Sequence, residues 1–117
     1  MEERQALLAF GAMSQETRLR IVRLLVRAGP DGMAAGSIGE AVGVSASNVS
    51  FHLKELERVG LATARRESRS IVYTAGYETL RDLLRFLMED CCASNPEICG
   101  PSSFRAIRSK SPAGVEP

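Results

Sequence analysis

The sequence predicts a mainly α fold with one small β-hairpin, and three observations predict it. Apolar residues recur at helical spacing through several segments separated by glycine, proline or serine. A three-residue turn containing glycine, Gly43-Val44-Ser45, joins a short helical segment to a longer one, which is the helix-turn-helix pattern. Two runs with β-branched or alternating residues then follow Gly60, with Glu67-Ser68 between them. The 117 residues allow one domain and a tail.

Taken in order, Arg4 to Met13 is short and apolar at Ala6, Leu7, Leu8 and Phe10, and reads as a marginal helix. Ser14 is the expected N-cap of the next helix, Gln15 to Ala28, which stops at Gly29-Pro30. Glu16, Arg20, Arg23 and Arg27 share one face of it. Leu19, Ile21, Val22, Leu24, Leu25 and Val26 cover most of the rest, so burial on two sides is expected, with one of those sides available to a second subunit. Asp31 to Gly36 reads as a loop, and Ser37 to Val42 as a short helix. The longer helix runs from Ala46 to Val59, with Gly60 as its C-cap. Leu61 to Arg66 and Arg69 to Ala75 form the hairpin. A last helix spans Tyr77 to Cys92, since Pro96 opposes continuation. Gly100 to Pro117 is rich in Ser, Pro, Gly and basic residues and is expected to be a mobile tail.

Composition excludes several classes. Apolar residues at 44% and charged residues at 25% suit a folded globular domain rather than a disordered chain. No apolar run approaches the roughly 18 residues that span a bilayer, so no membrane partner is expected. Met1-Glu2-Glu3-Arg4 opens acidic rather than as a secretory signal, and a cytoplasmic location is expected. Three cysteines, an odd count, favour free thiols over a disulfide scaffold. A single histidine, His52, rules out a multi-histidine metal centre within one chain. The net charge of +1 hides an uneven distribution. Lys54, Arg58, Arg65, Arg66 and Arg69 outnumber the acids of the middle segment, whereas acids dominate around the cysteines. The middle is therefore the candidate for touching phosphate.

On the longer helix, at about 100° per residue, Val49, Leu53 and Leu56 cluster on one side and should pack inward. Ser47, Phe51, Lys54 and Arg58 point the opposite way, with Asn48 and Ser50 on the flanks. Small polar side chains near the start of such a helix, Ser45 included, reach base edges or phosphates in a major groove. Phe51 is either a half-buried member of an ordinary polar face or an exposed ring able to cover a thymine methyl. His52 sits at the edge of the inward face, where a packed, hydrogen-bonded role competes with phosphate contact. Arg65, Arg66 and Arg69 are placed at the hairpin tip, as a phosphate contact or as a solvated turn.

The run from Gln15 to Leu25, the segment Val44 to Leu56 and the triplet Val59-Gly60-Leu61 resemble the arsenic-repressor (ArsR) family of winged helix-turn-helix regulators. The likeness covers roughly residues 5 to 90. It implies a homodimer whose first and last helices make the interface and which binds palindromic double-stranded operator DNA. It also implies DNA contacts at Ser47, Ser50 and Phe51, although many members carry histidine where this chain has Phe51. Residues 1–92 then form the DNA-binding and dimerisation domain, and 93–117 a cysteine-containing extension.

Cys91, Cys92 and Cys99 are the remaining chemical feature. Leu80, Leu83, Leu84, Leu87 and Cys91 share one apolar stripe, Cys92 is turned about 100° from it, and Ser94-Asn95-Pro96 lets Cys99 fold back. Three thiolates suit a soft ion better than zinc, which takes four ligands in structural sites. Trivalent arsenic takes three sulfurs, and several arsenite-sensing members of the family carry two adjacent cysteines and a third nearby. Others place a Cys-x-Cys pair on the helix before the turn, a segment without cysteine here. The expectation is a repressor, not an enzyme, with arsenite as inducer and no nucleotide or organic cofactor. A redox switch on the same thiols, incidental cysteines and a small thiol reductase are the alternatives, although the reductase lacks a Cys-x-x-Cys motif.

Overall fold

The computed structural model describes residues 1–94, with side chains through Glu89. The elements run α1 (Glu3–Met13), α2 (Glu16–Ala28), a 3-10 turn (Gly29–Asp31), β1 (Met33–Ala34), α3 (Ala35–Val42), α4 (Ala46–Arg58), β2 (Ala62–Glu67), β3 (Ser70–Ala75) and α5 (Tyr77–Ser94). The described residues divide into two units, Met1–Asp82 and one that begins at Leu83. The last helix, expected to end at Cys92, continues two residues further to Ser94. In the second unit Leu83 is buried while Leu84 and Leu87 are exposed.

The helix α1 is better founded than its composition suggests. Ala6, Ala9 and Ala12 form a buried stripe through which it meets α2 and α4, while Leu7 and Leu8 face outward. Small side chains on that stripe allow a close approach of the helices. Ser14 does not cap α2 as expected. Its hydroxyl donates to the Gly11 carbonyl at 2.9 Å and closes α1 instead. Gln15 takes the capping role, its Oε1 accepting from the Arg18 amide at 2.9 Å. With α2 beginning at Glu16, the orphan amide at its third position belongs to Arg18, and Gln15 satisfies it.

Ile21, Val22 and Leu25 bury one face of α2, but Leu19 and Val26 are exposed, so burial on two sides does not occur within one chain. The hairpin is likewise corrected to a three-stranded antiparallel sheet in the order β1-β3-β2. Met33 pairs with Tyr73 and Ala34 with Val72, inside the segment expected to be loop. Two residues are too few to show an alternating pattern. The hairpin turn is Ser68-Arg69, one residue later than expected, with Glu67 opposite Ser70 and Ser68 at φ 55°. Ile21, Leu25, Ile38, Val49, Leu53, Leu56 and Leu61 form the centre of the core, drawn from α2, α3, α4 and the start of the wing.

Candidate nucleic-acid interface

The turn between α3 and α4 is built by backbone geometry that its sequence supplies. Gly43 sits in the left-handed region (φ 74°, ψ 37°), and its amide donates to the Gly39 carbonyl at 2.8 Å. Gly39 itself lies so close to α4 that an added Cβ would stand 3.3 Å from the Val44 carbonyl oxygen and 3.5 Å from Val49 Cγ1. The two helices can therefore approach without a side chain between them. Ser45 caps α4, its Oγ accepting from the Asn48 amide at 3.3 Å. That hydroxyl, expected at the DNA, thus has a local structural task as well.

On α4 the predicted division of faces is observed. Val49, Leu53 and Leu56 are buried, whereas Ser47, Asn48, Ser50, Phe51, Lys54 and Arg58 are exposed. Phe51 is 57% exposed, so its ring stands open on this face. Arg58 is paired with Glu55 at 2.9 Å, but Lys54 has no ion-pair or hydrogen-bond partner among the described residues. The outward face of α4 therefore offers hydroxyl, amide, aromatic and cationic groups together.

His52 is half-buried and stands edge-on to the Phe51 ring, with centroids 5.6 Å apart. It is packed, as expected, but its Nδ1 is buried without a hydrogen-bond partner among the described residues. Burial, and secondly the positive charge of Arg18, hold its pKa below the ordinary imidazole value of 6.5. Arg18 reaches this cluster from α2, its Cζ lying 6.0 Å from the Phe51 ring centroid. Helical periodicity within α2 could not reveal this residue, because its partner ring belongs to another helix.

The wing separates three arginines that the sequence treats alike. Arg65 is not at the tip: it pairs with Val72 well inside the hairpin. Its guanidinium donates to the Pro30 carbonyl at 3.2 Å, the Asp31 carbonyl at 2.9 Å and Glu67 Oε2 at 2.6 Å. These bonds tie β2 to the 3-10 turn, so the expected tip position of Arg65 is corrected to a staple. Arg66 and Arg69 are exposed and without a partner among the described residues, with Arg69 in the turn itself. Cys91 and Cys92 occupy adjacent positions in α5, but their side chains, and all of Cys99, lie outside the described residues.

A short helix, a left-handed glycine turn, a second helix with an exposed polar face and a basic hairpin now stand in sequence. A helix-turn-helix domain model matches residues 13–65. The chain is 32% identical over 88 residues to the HTH-type transcriptional regulator YgaV of Escherichia coli, covering 75% of this chain and 87% of that protein. Mb0332 of Mycobacterium bovis, a possible ArsR-family regulator, has a homodimeric winged helix-turn-helix domain that superposes with a TM-score of 0.60. That match has 26% identity and covers 75% of this chain and 80% of the other. The chain belongs to the ArsR family of winged helix-turn-helix regulators. HlyU of Vibrio cholerae, a transcriptional activator, also superposes with a TM-score of 0.60 at 28% identity, over 79% of this chain and 99% of that one. In this ArsR-family fold α3 and α4 are the helix-turn-helix pair, and β2 and β3 the wing. Among the described residues no helix is long and apolar enough to cross a membrane.

Proposed function

We propose that this chain is a transcriptional repressor that binds double-stranded operator DNA as a homodimer. In this reading trivalent arsenic releases it by binding Cys91, Cys92 and Cys99. The observation that carries the DNA reading is the outward face of α4, where Ser47, Asn48, Ser50, Phe51 and Lys54 are all exposed on a helix of groove-entering type. Arg66 and Arg69 extend that face electrostatically onto the wing, where phosphates border the groove. Exposed leucines on α1 (Leu7, Leu8) and on α5 (Leu84, Leu87) support self-association, since such side chains favour cover from a second copy.

The arsenic reading is supported by the donor set. Two cysteines at adjacent positions of α5 and a third eight residues after the first offer three soft sulfurs close in sequence. The ligand supplies three exchangeable positions for thiolates, and closing the segment between Cys92 and Cys99 perturbs the end of α5. Release then follows if the metalloid-bound dimer holds its two recognition helices at a spacing that fits the half-sites poorly. The test is a gel-shift with the DNA upstream of the protein's own gene, run with and without arsenite and with a thiol oxidant. Binding lost on arsenite addition is the expected result. Binding lost only with the oxidant assigns the thiols to redox sensing, and binding gained with arsenite reverses the sign of regulation.

A further inference from the structure

Arg18 is the only half-buried lysine or arginine among the described residues, all others being exposed. Its Nε is fully buried and finds no acceptor among the described residues. Neighbouring arginines meet acids: Arg20 pairs with Glu16 at 2.6 Å, Arg58 with Glu55 at 2.9 Å and Arg65 with Glu67 at 2.6 Å. No carboxylate answers Arg18 among the described residues. Its guanidinium lies over the Phe51 ring, with Cζ 6.0 Å from the centroid, and near enough to His52 to depress that imidazole's pKa. The Phe51 ring is exposed on the face of α4 read as entering the groove.

A cation that has given up part of its hydration without gaining a counter-charge is an unfinished interaction. The aromatic face offsets some of this cost but accepts no hydrogen bond. What is missing is an anion able to take donors from a planar fork, beside the outer edge of α4. A DNA phosphate has that charge and geometry, and phosphates line the groove that such a helix enters. A base edge fits less well, because Arg18 reaches the interface from α2, alongside α4 rather than on its outward ridge.

We propose that Arg18 is a DNA-backbone contact, its guanidinium resting on Phe51 and donating to a phosphate that flanks α4 in each half-site. The proposal rests on the reading of α4 as the groove-entering helix and adds to it a residue from outside the helix-turn-helix. It also gives Phe51 a second task, as the platform that aims a cation.

The test uses the full chain, a duplex of mixed sequence and a duplex from upstream of its own gene, with affinity measured by fluorescence anisotropy across a salt titration. Each phosphate contact contributes roughly 0.9 to the slope of log affinity against log salt. Arg18→Gln is expected to lower that slope by about one per protomer on both duplexes, while Arg18→Lys retains it. In the wild type, the Nε–H resonance that disappears in Arg18→Lys is expected to shift when either duplex is added. A wild-type slope in Arg18→Gln, or an Nε–H resonance indifferent to saturating DNA, overturns the proposal and leaves Arg18 a packing residue. The resonance experiment stands even if Arg18→Gln fails to fold. A wild-type chain that binds neither duplex overturns the DNA-binding reading itself, and this contact with it.

Discussion

Replacing Arg65 separates two uses of arginine that a charge count cannot. Its guanidinium makes two hydrogen bonds to backbone carbonyls of the 3-10 turn and one ion pair with Glu67. A net hydrogen bond contributes about 0.5–1.5 kcal/mol, and an exposed ion pair about 0–1 kcal/mol. The Arg65 and Glu67 side chains are 44% and 53% exposed, so the low half of each range applies. Arg65→Ala should therefore cost about 1.5 kcal/mol. In a domain of this size that is a fall in melting temperature of roughly 6–12 °C, read by thermal circular dichroism. Arg65→Lys is the decisive companion. It keeps the charge but cannot fork onto two carbonyls, so it should recover little of the lost stability. Arg69→Ala, by contrast, should leave the melting temperature unchanged and reduce the salt slope of DNA binding by about one. An Arg65→Lys variant as stable as wild type, or an Arg65→Ala variant of unchanged stability, would refute the staple.

Other outcomes follow from the same geometry. Ser50→Ala combined with Lys54→Ala should weaken operator binding and flatten its salt slope by about one, without lowering the melting temperature, because both side chains are exposed. Leu53→Ala removes a completely buried side chain and should cost about 3–5 kcal/mol, read by urea denaturation. Cys91→Ser, Cys92→Ser and Cys99→Ser should each bind operator normally and lose release by arsenite. Among them Cys99→Ser should keep more of its response to a monosubstituted arsenical, which needs only two thiolates. His52 adds a pH dependence: its folded pKa is lowered, so below about 6.5 the unfolded chain binds the proton more readily. Stability should fall as pH drops from 6.5, and the fall should be smaller in His52→Gln, read by denaturant midpoints in matched buffers.

Much of this architecture was legible because it is local. The position of Val49, Leu53 and Leu56 on one face of α4 follows from period alone, and the structure buries all three. Gly43 announces the turn because left-handed backbone favours glycine. What escaped the sequence was set by partners distant along the chain. β1 exists only because Met33 and Ala34 meet Tyr73 and Val72. Ser14 and Gln15 are both able to cap, and the Ser14 hydroxyl is taken by the Gly11 carbonyl of the preceding helix. Leu19 and Val26 look like core in a linear reading, and only the packed chain leaves them exposed.

The arginines carry that argument furthest. In sequence Arg18, Arg20, Arg58, Arg65 and Arg69 are five equal positive charges near a helix-turn-helix. In the fold Arg20 and Arg58 are spent on carboxylates one helical turn away, at the surface, where such pairs contribute little. Arg65 is spent on carbonyls and shapes the wing. Arg69 keeps its full charge in the turn, and Arg18 keeps its charge with part of its hydration removed. Counterion release counts phosphates neutralised, not arginines present, so a slope predicted from the sequence would be too steep. On the proposed reading, the two arginines of this set that lack a counter-charge, together with Lys54 and Arg66, are the cations that a DNA backbone meets. The proposed footprint then includes Arg18 of α2, the outward face of α4 and Arg69 in the turn of the wing, and so exceeds the helix-turn-helix alone.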